Sequence, residues 1–133
     1  MQTLMSALPY VLAAIVAAFA MLQLVLLLKA RRMRGRPAPD LSAVLPGTHA
    51  RVVLYFHSAH CGACRAMTPM VTRLAARHPN LVALDVAEHG ELARQFGVSA
   101  TPTLIRVENG VIRDVVLGTL SESKLAALVG PAS

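Results

Sequence analysis

Residues 4 to 28 carry no charge, and from Tyr10 to Leu28 only Gln23 interrupts an otherwise apolar run. At 1.5 Å of rise per residue, a helix of this length covers the ~30 Å hydrocarbon core of a bilayer. A helix that is apolar all round has no polar face to turn to water, so the stretch needs an apolar environment of its own. A cleaved secretory signal has a similar apolar core, but it carries positive charge ahead of that core and a small-residue cleavage site behind it. Here the order is reversed: nothing charged precedes the run, and Lys29, Arg31, Arg32, Arg34 and Arg36 crowd its exit. The reading is an uncleaved single-pass transmembrane anchor over residues 4–28.

The same five residues explain the basic balance. The chain has 13 Lys and Arg against 7 Asp and Glu, a formal net charge of +6; setting the five aside leaves eight basic residues against seven acidic. The pI near 10.4 is therefore a property of the segment beside the membrane, and no nucleic-acid partner is expected. Lys and Arg flanking a span stay on the cytoplasmic side and favour anionic headgroups. The expected topology puts the N-terminus outside and the domain in the cytosol, with membrane lipid as a partner. Residues 29–50 read as a basic juxtamembrane segment and linker. Within them, Gly35-Arg36-Pro37-Ala38-Pro39-Asp40 has two prolines and no apolar periodicity, the composition of a tether.

Residues 51–130 read as one α/β domain. The run 52–56 is too short and too β-branched for a helix and has the pattern of a buried strand. A helix is expected over 61–77, bent at Pro69, then a strand over 81–86 and a short helix over 88–96 closed by Gly97. A third strand over 103–107 and a fourth over 111–117 are joined by Asn109-Gly110, a two-residue hairpin signal that makes them antiparallel. Ser121 caps a last helix that ends before Gly130-Pro131. The order β-α-β-α-β-β-α predicts a mixed four-stranded sheet with helices on both faces.

Cys61 and Cys64, the only cysteines, lie in His60-Cys61-Gly62-Ala63-Cys64-Arg65, where the first strand gives way to its helix. Residues three apart at the first turn of a helix share a face, so the two thiols can close a disulfide without moving the backbone. The first sulfur sits where unpaired N–H groups and the positive end of the helix dipole favour a thiolate. Cys61 is accordingly the expected nucleophile, with a lowered pKa, and Cys64 the resolving partner. His60, next to Cys61, is an expected redox-tuning position. A protonated His60 would stabilise the thiolate further; alternatively it fills an exposed rim with no electrostatic role.

With Cys-Gly-Ala-Cys after the first strand, Pro69 five residues on, Phe96-Gly97-Val98, Ala100-Thr101-Pro102-Thr103 before the third strand, Asn109-Gly110 in the hairpin and Gly118 after the fourth strand, the chain from about Arg51 to Val129 resembles thioredoxin. The resemblance implies a thioredoxin fold, preceded here by the one N-terminal transmembrane helix read above, and it implies that Gly62 and Ala63, between the cysteines, are redox-tuning positions. It also implies a cis Thr101–Pro102 bond facing the sulfurs and a loop, Thr101 and Pro102, whose backbone binds an extended substrate strand. No cofactor is implied beyond a redox-active Cys61–Cys64 disulfide. The chain departs from the family at His60, where thioredoxins have Trp, and at Ala63, where they have Pro. Tyr55 aligns with the family's buried aspartate and Ala83 with the lysine beside it, which leaves deprotonation of Cys64 to water, Tyr55 or His57.

The function these residues point to is a membrane-tethered thiol–disulfide oxidoreductase. Its partners would be disulfide-containing proteins and a reductase or membrane electron donor, and in the cytosol it would act mainly as a reductant. A second reading takes His57, His60, Cys61 and Cys64 as nitrogen and sulfur donors for zinc or copper. A third keeps only the fold, as a non-catalytic adaptor with a peptide-binding edge. If His60 stabilises the thiolate, His60→Ala raises the pH at which the Cys61 thiolate forms, and an unchanged thiolate titration rules that role out.

Overall fold

A strand with apolar side chains on both faces is satisfied only when covered from both sides, and β1 (Arg51–His57) is covered in this way. In the computed structural model, which describes residues 1–47 and 49–130, Val52, Leu54 and Phe56 enter one core and Val53 and Tyr55 the other. Thr48, in the expected linker, and Pro131, in the expected helix stop, lie outside the described residues. The sheet order is β2-β1-β3-β4, with β2 (Leu81–Asp85) parallel to β1. β3 (Thr103–Glu108) runs antiparallel to β1, and β4 (Val111–Leu117) antiparallel to β3. Asn109 and Gly110 take successive positive φ values of 50° and 78°, the left-handed pair that a two-residue hairpin needs.

A parallel β1–β2 pair requires a crossover, and α2 (Gly62–Ala75) supplies it. Its Met67, Val71 and Leu74 join Leu125 and Val129 of α4 (Glu122–Val129) over one face of the sheet. The other face is covered by α3 (Gly90–Gln95) with Phe96 behind it, and by the end of α1 (Gln2–Met33). The C-terminal ends of β1, β2 and β4 and the N-terminal end of β3 therefore meet at one end of the sheet, the cysteine end.

The helix α1 runs on past Leu28, and its last two turns belong to the domain. Leu26, Ala30 and Met33, spaced four and three, form one stripe against the sheet. Ala30 is 8% exposed and Met33 7%. The Met33 sulfur lies 3.4 Å from the point a Cβ would occupy on Gly97, and Lys29 Nζ donates to Ser99 Oγ.

The stretch with the composition of a tether is also held. Gly35 N–H donates to the Ile112 carbonyl at 2.7 Å, Ile112 N–H to the Arg36 carbonyl at 2.9 Å, and Ala38 N–H to the Gly110 carbonyl at 2.8 Å. Pro37 bridges Val111, so the segment lies along the outer edge of β4 like a short extra strand. Pro37 and Pro39 fall where this ladder asks for no N–H, which is the one way an edge tolerates proline. Beyond it Asp40 accepts from Ser42 N–H and from the Ser42 hydroxyl, each at 2.9 Å. The Ser42 amide, then its hydroxyl, hold the Asp40 carboxyl below the usual carboxylate range. The turn that follows places Leu41, Val44 and Leu45 against the core.

Met33→Ala should therefore lower the unfolding free energy of the full chain in detergent micelles by about 2 kcal/mol or more, read by urea titration. A loss below about 0.5 kcal/mol, the range of a surface substitution, would mean that the end of α1 merely lies near the sheet.

Candidate active site

β1 ends at His57 and the chain turns through Ser58, which accepts from His60 N–H through its hydroxyl and from Cys61 N–H through its carbonyl, both at 3.3 Å. The turn delivers Cys61 to the N-cap of α2 with an extended backbone, φ −102° and ψ 114°. A cap residue offers a side-chain acceptor to the first free N–H groups of its helix. Here that acceptor is sulfur: Cys64 N–H points at Cys61 Sγ at 3.1 Å. Once the sulfur is reduced, the same amide and the helix dipole favour its thiolate form.

Cys61 and Cys64 are joined as a disulfide with their Cα atoms 5.2 Å apart. Cys64 is 1% exposed, whereas Cys61 is half-buried and open to a partner from one side. His60, Gly62 and Ala63 form the exposed rim, and nothing lies within 4 Å of the point where a Cβ would sit on Gly62.

The loop before β3 closes the other side. The Thr101–Pro102 bond is cis, Pro102 is buried, and Cys61 Sγ lies 3.5 Å from the Thr101 carbonyl oxygen. Two bonds hold this loop, from the Thr103 hydroxyl to the Ala100 carbonyl at 2.6 Å and from Gly118 N–H to the Pro102 carbonyl at 3.0 Å.

Beneath Cys64 there is a phenol. Tyr55 is 0% exposed; its hydroxyl lies 3.3 Å from the Cys64 carbonyl oxygen and 3.1 Å from Thr68 Oγ1. The Thr68 hydroxyl donates to the same carbonyl at 2.7 Å. Two hydroxyls thus converge on the backbone of the buried cysteine. An open hollow of about 380 Å³ runs beside Cys64 with His57 and Asp85 on its wall. His57 and Asp85 are the groups on that wall able to take up a proton. The His57 ring stacks on Tyr55 with centroids 5.3 Å apart.

The cysteines, the rim and the Thr101–Pro102 loop are thus brought together. Of the four residues of the metal reading, His57 stacks on Tyr55 and the two sulfurs bond each other. Among the described residues no group of three or more His, Cys, Asp or Glu side chains could hold a metal ion. Sequence reasoning missed Thr68, whose only signal is its place one helical turn after Cys64, on the same face. It also missed the Lys29–Ser99 contact, because seventy residues separate its two ends.

The Thioredoxin family model matches residues 41–130. The chain is 30% identical over 94 residues to the mitochondrial thioredoxin of Mus musculus, a match that covers 68% of this chain and 57% of that protein. This chain thus spans little more than half the length of that relative. Among solved structures, a mutant thioredoxin from Halobacterium salinarum superposes with a TM-score of 0.59 at 26% identity, covering 70% of this chain and 84% of that one. The reduced thioredoxin pre-protein of Schistosoma mansoni gives 0.58 at 30% identity, over 69% of this chain and 89% of that one.

The difference in burial between the sulfurs makes a direct prediction. After reduction, iodoacetamide should modify Cys61 at least about tenfold faster than Cys64, since attack needs an accessible thiolate; peptide mass mapping reads the ratio, and equal rates would contradict this geometry.

Proposed function

Because the chain belongs to the thioredoxin family, we propose that it is a membrane-tethered thiol–disulfide oxidoreductase whose Cys61–Cys64 pair exchanges disulfides with protein substrates. The observation that carries this reading is the half-buried Cys61 sulfur, with the Cys64 amide at 3.1 Å and the Thr101 carbonyl at 3.5 Å.

In the reducing direction the Cys61 thiolate attacks one sulfur of a substrate disulfide. That bond breaks, a mixed disulfide forms, and the departing substrate thiolate takes a proton from water. Cys64, deprotonated through the hollow beside it, then attacks Cys61 Sγ and releases the second substrate sulfur as a thiol. The substrate has gained two electrons and two protons, and the Cys61–Cys64 disulfide has formed. A dithiol donor, either a reductase or a membrane electron donor, returns both and restores the reduced pair. Thr101 and Pro102 hold the substrate strand against Cys61, and His60, Gly62 and Ala63 tune the potential. No cofactor enters beyond the disulfide itself.

Residues 4–28 anchor this domain to a bilayer. Support comes from α1, which is long and apolar enough to cross a membrane and carries large apolar side chains, Leu4, Ile15 and Phe19 among them, exposed on every side. The five basic residues from Lys29 to Arg36 favour the cytoplasmic side for the domain, where the exchange runs mainly as reduction.

Full-length protein in detergent should accelerate insulin reduction by dithiothreitol. Cys61→Ser should return the rate to that of dithiothreitol alone, and Cys64→Ser should still attack and accumulate a mixed disulfide visible on a non-reducing gel. Parental activity in Cys61→Ser would sink the proposal.

A further inference from the structure

The anchor leaves the domain at the end that carries the sulfurs. Followed towards the C-terminus, the segment descends the sheet: Lys29 meets Ser99 in the loop before Pro102, Gly35 pairs with Ile112, the second residue of β4, and Ala38 reaches Gly110 at the hairpin tip. Followed the other way, Leu26 shares a hollow with Thr103 and Leu117, the cysteine-end residues of β3 and β4, and the part of α1 before it is exposed throughout.

Lengths place the bilayer. Residues 4–28 make ~37 Å of helix at 1.5 Å each, against a hydrocarbon core of ~30 Å. The surplus is about one turn, and the last turn of the run is where Leu26 already rests on the domain. The headgroup layer thus begins about where the Ser99–Thr101 loop ends, and the carbonyl of that loop is 3.5 Å from Cys61 Sγ. Residues 59–66 and 99–101, on either side of Cys61, include His60 and Arg65 and no carboxylate, and Asp85 lies off to one side, on the wall of the hollow beside Cys64.

We propose that the Cys61–Cys64 pair faces the bilayer from which α1 emerges, and that its partner is a membrane-embedded protein presenting a cysteine pair at the headgroup layer. This rests on the exchange and the anchor proposed above and names the partner's class. Two electrons and two protons pass between the pairs: one dithiol becomes a disulfide as the other disulfide becomes a dithiol. A folded soluble substrate would have to enter the narrow space between domain and lipid, whereas a short loop rising from the membrane is already there.

The orientation is measured without any turnover. In a Cys61→Ser, Cys64→Ser background, a donor dye is attached at Ala59→Cys or at Ala50→Cys, and the full chain is placed in phosphatidylcholine vesicles carrying an acceptor dye on their headgroups. The two positions flank β1, about 23 Å apart for seven residues of strand, so transfer from position 59 should be at least about twice that from position 50. Equal transfer, or the reverse order, overturns the orientation.

The partner class is tested with the parent protein in unlabelled vesicles, offered one disulfide peptide joined to lipid through spacers of increasing length. A membrane-facing site reduces the short-spacer peptide fastest. A rate that rises with spacer length overturns the proposal. No reduction of any of these peptides or of insulin overturns the exchange reading, and the energy transfer then still reports whether the sulfur positions face the lipid.

Discussion

The two-sided burial of β1 is the constraint from which the other parts follow. A strand that is apolar on both faces has to lie inside a sheet covered above and below, so its neighbour β2 is reached by a crossover helix over one face. That helix starts where β1 ends, and its first turn carries the cysteines. The site is thus a by-product of the crossover: free amides at the start of α2, a sulfur as their cap, and β3 returning alongside so that its leading loop stands over the sulfur.

The same layering explains why the long apolar helix α1 ends inside the domain. α3 has only six residues and cannot cover its face of the sheet unaided. Ala30 and Met33 fill the uncovered part beside Phe96 and Val115. Removing that stripe would expose apolar surface on the sheet as well as on the helix, so the end of α1 and the domain stabilise each other.

Features governed by short-range chemistry could be read directly from the residues. Residues 111–117 form the fourth strand as expected, and Asn109-Gly110 makes the hairpin because few other pairs accept two successive positive φ values. The two cysteines form a bonded pair because three residues of helix bring them face to face. What stayed hidden depends on distant partners. In a run apolar all round, nothing distinguishes Leu26, which touches the sheet, from Leu27, which does not. The segment from Gly35 to Ala38 pairs through its backbone, which every sequence carries alike, and its prolines argued for a free linker until their register was known. Tyr55 could be aligned with a carboxylate, but that its hydroxyl would share the Cys64 carbonyl with Thr68 required the packing of α2 on β1.

The pairing of Gly35 to Ala38 with β4 has a consequence for crowding. An open sheet offers unsatisfied amides and carbonyls along both margins, and each margin can nucleate stacking with a neighbouring copy. With the hairpin end of one margin, Gly110 to Ile112, occupied by the chain's own approach to the fold, the margin left bare over its whole length among the described residues is β2, five residues long. With less bare border to offer, the fold has fewer ways to zip copy onto copy into fibrils.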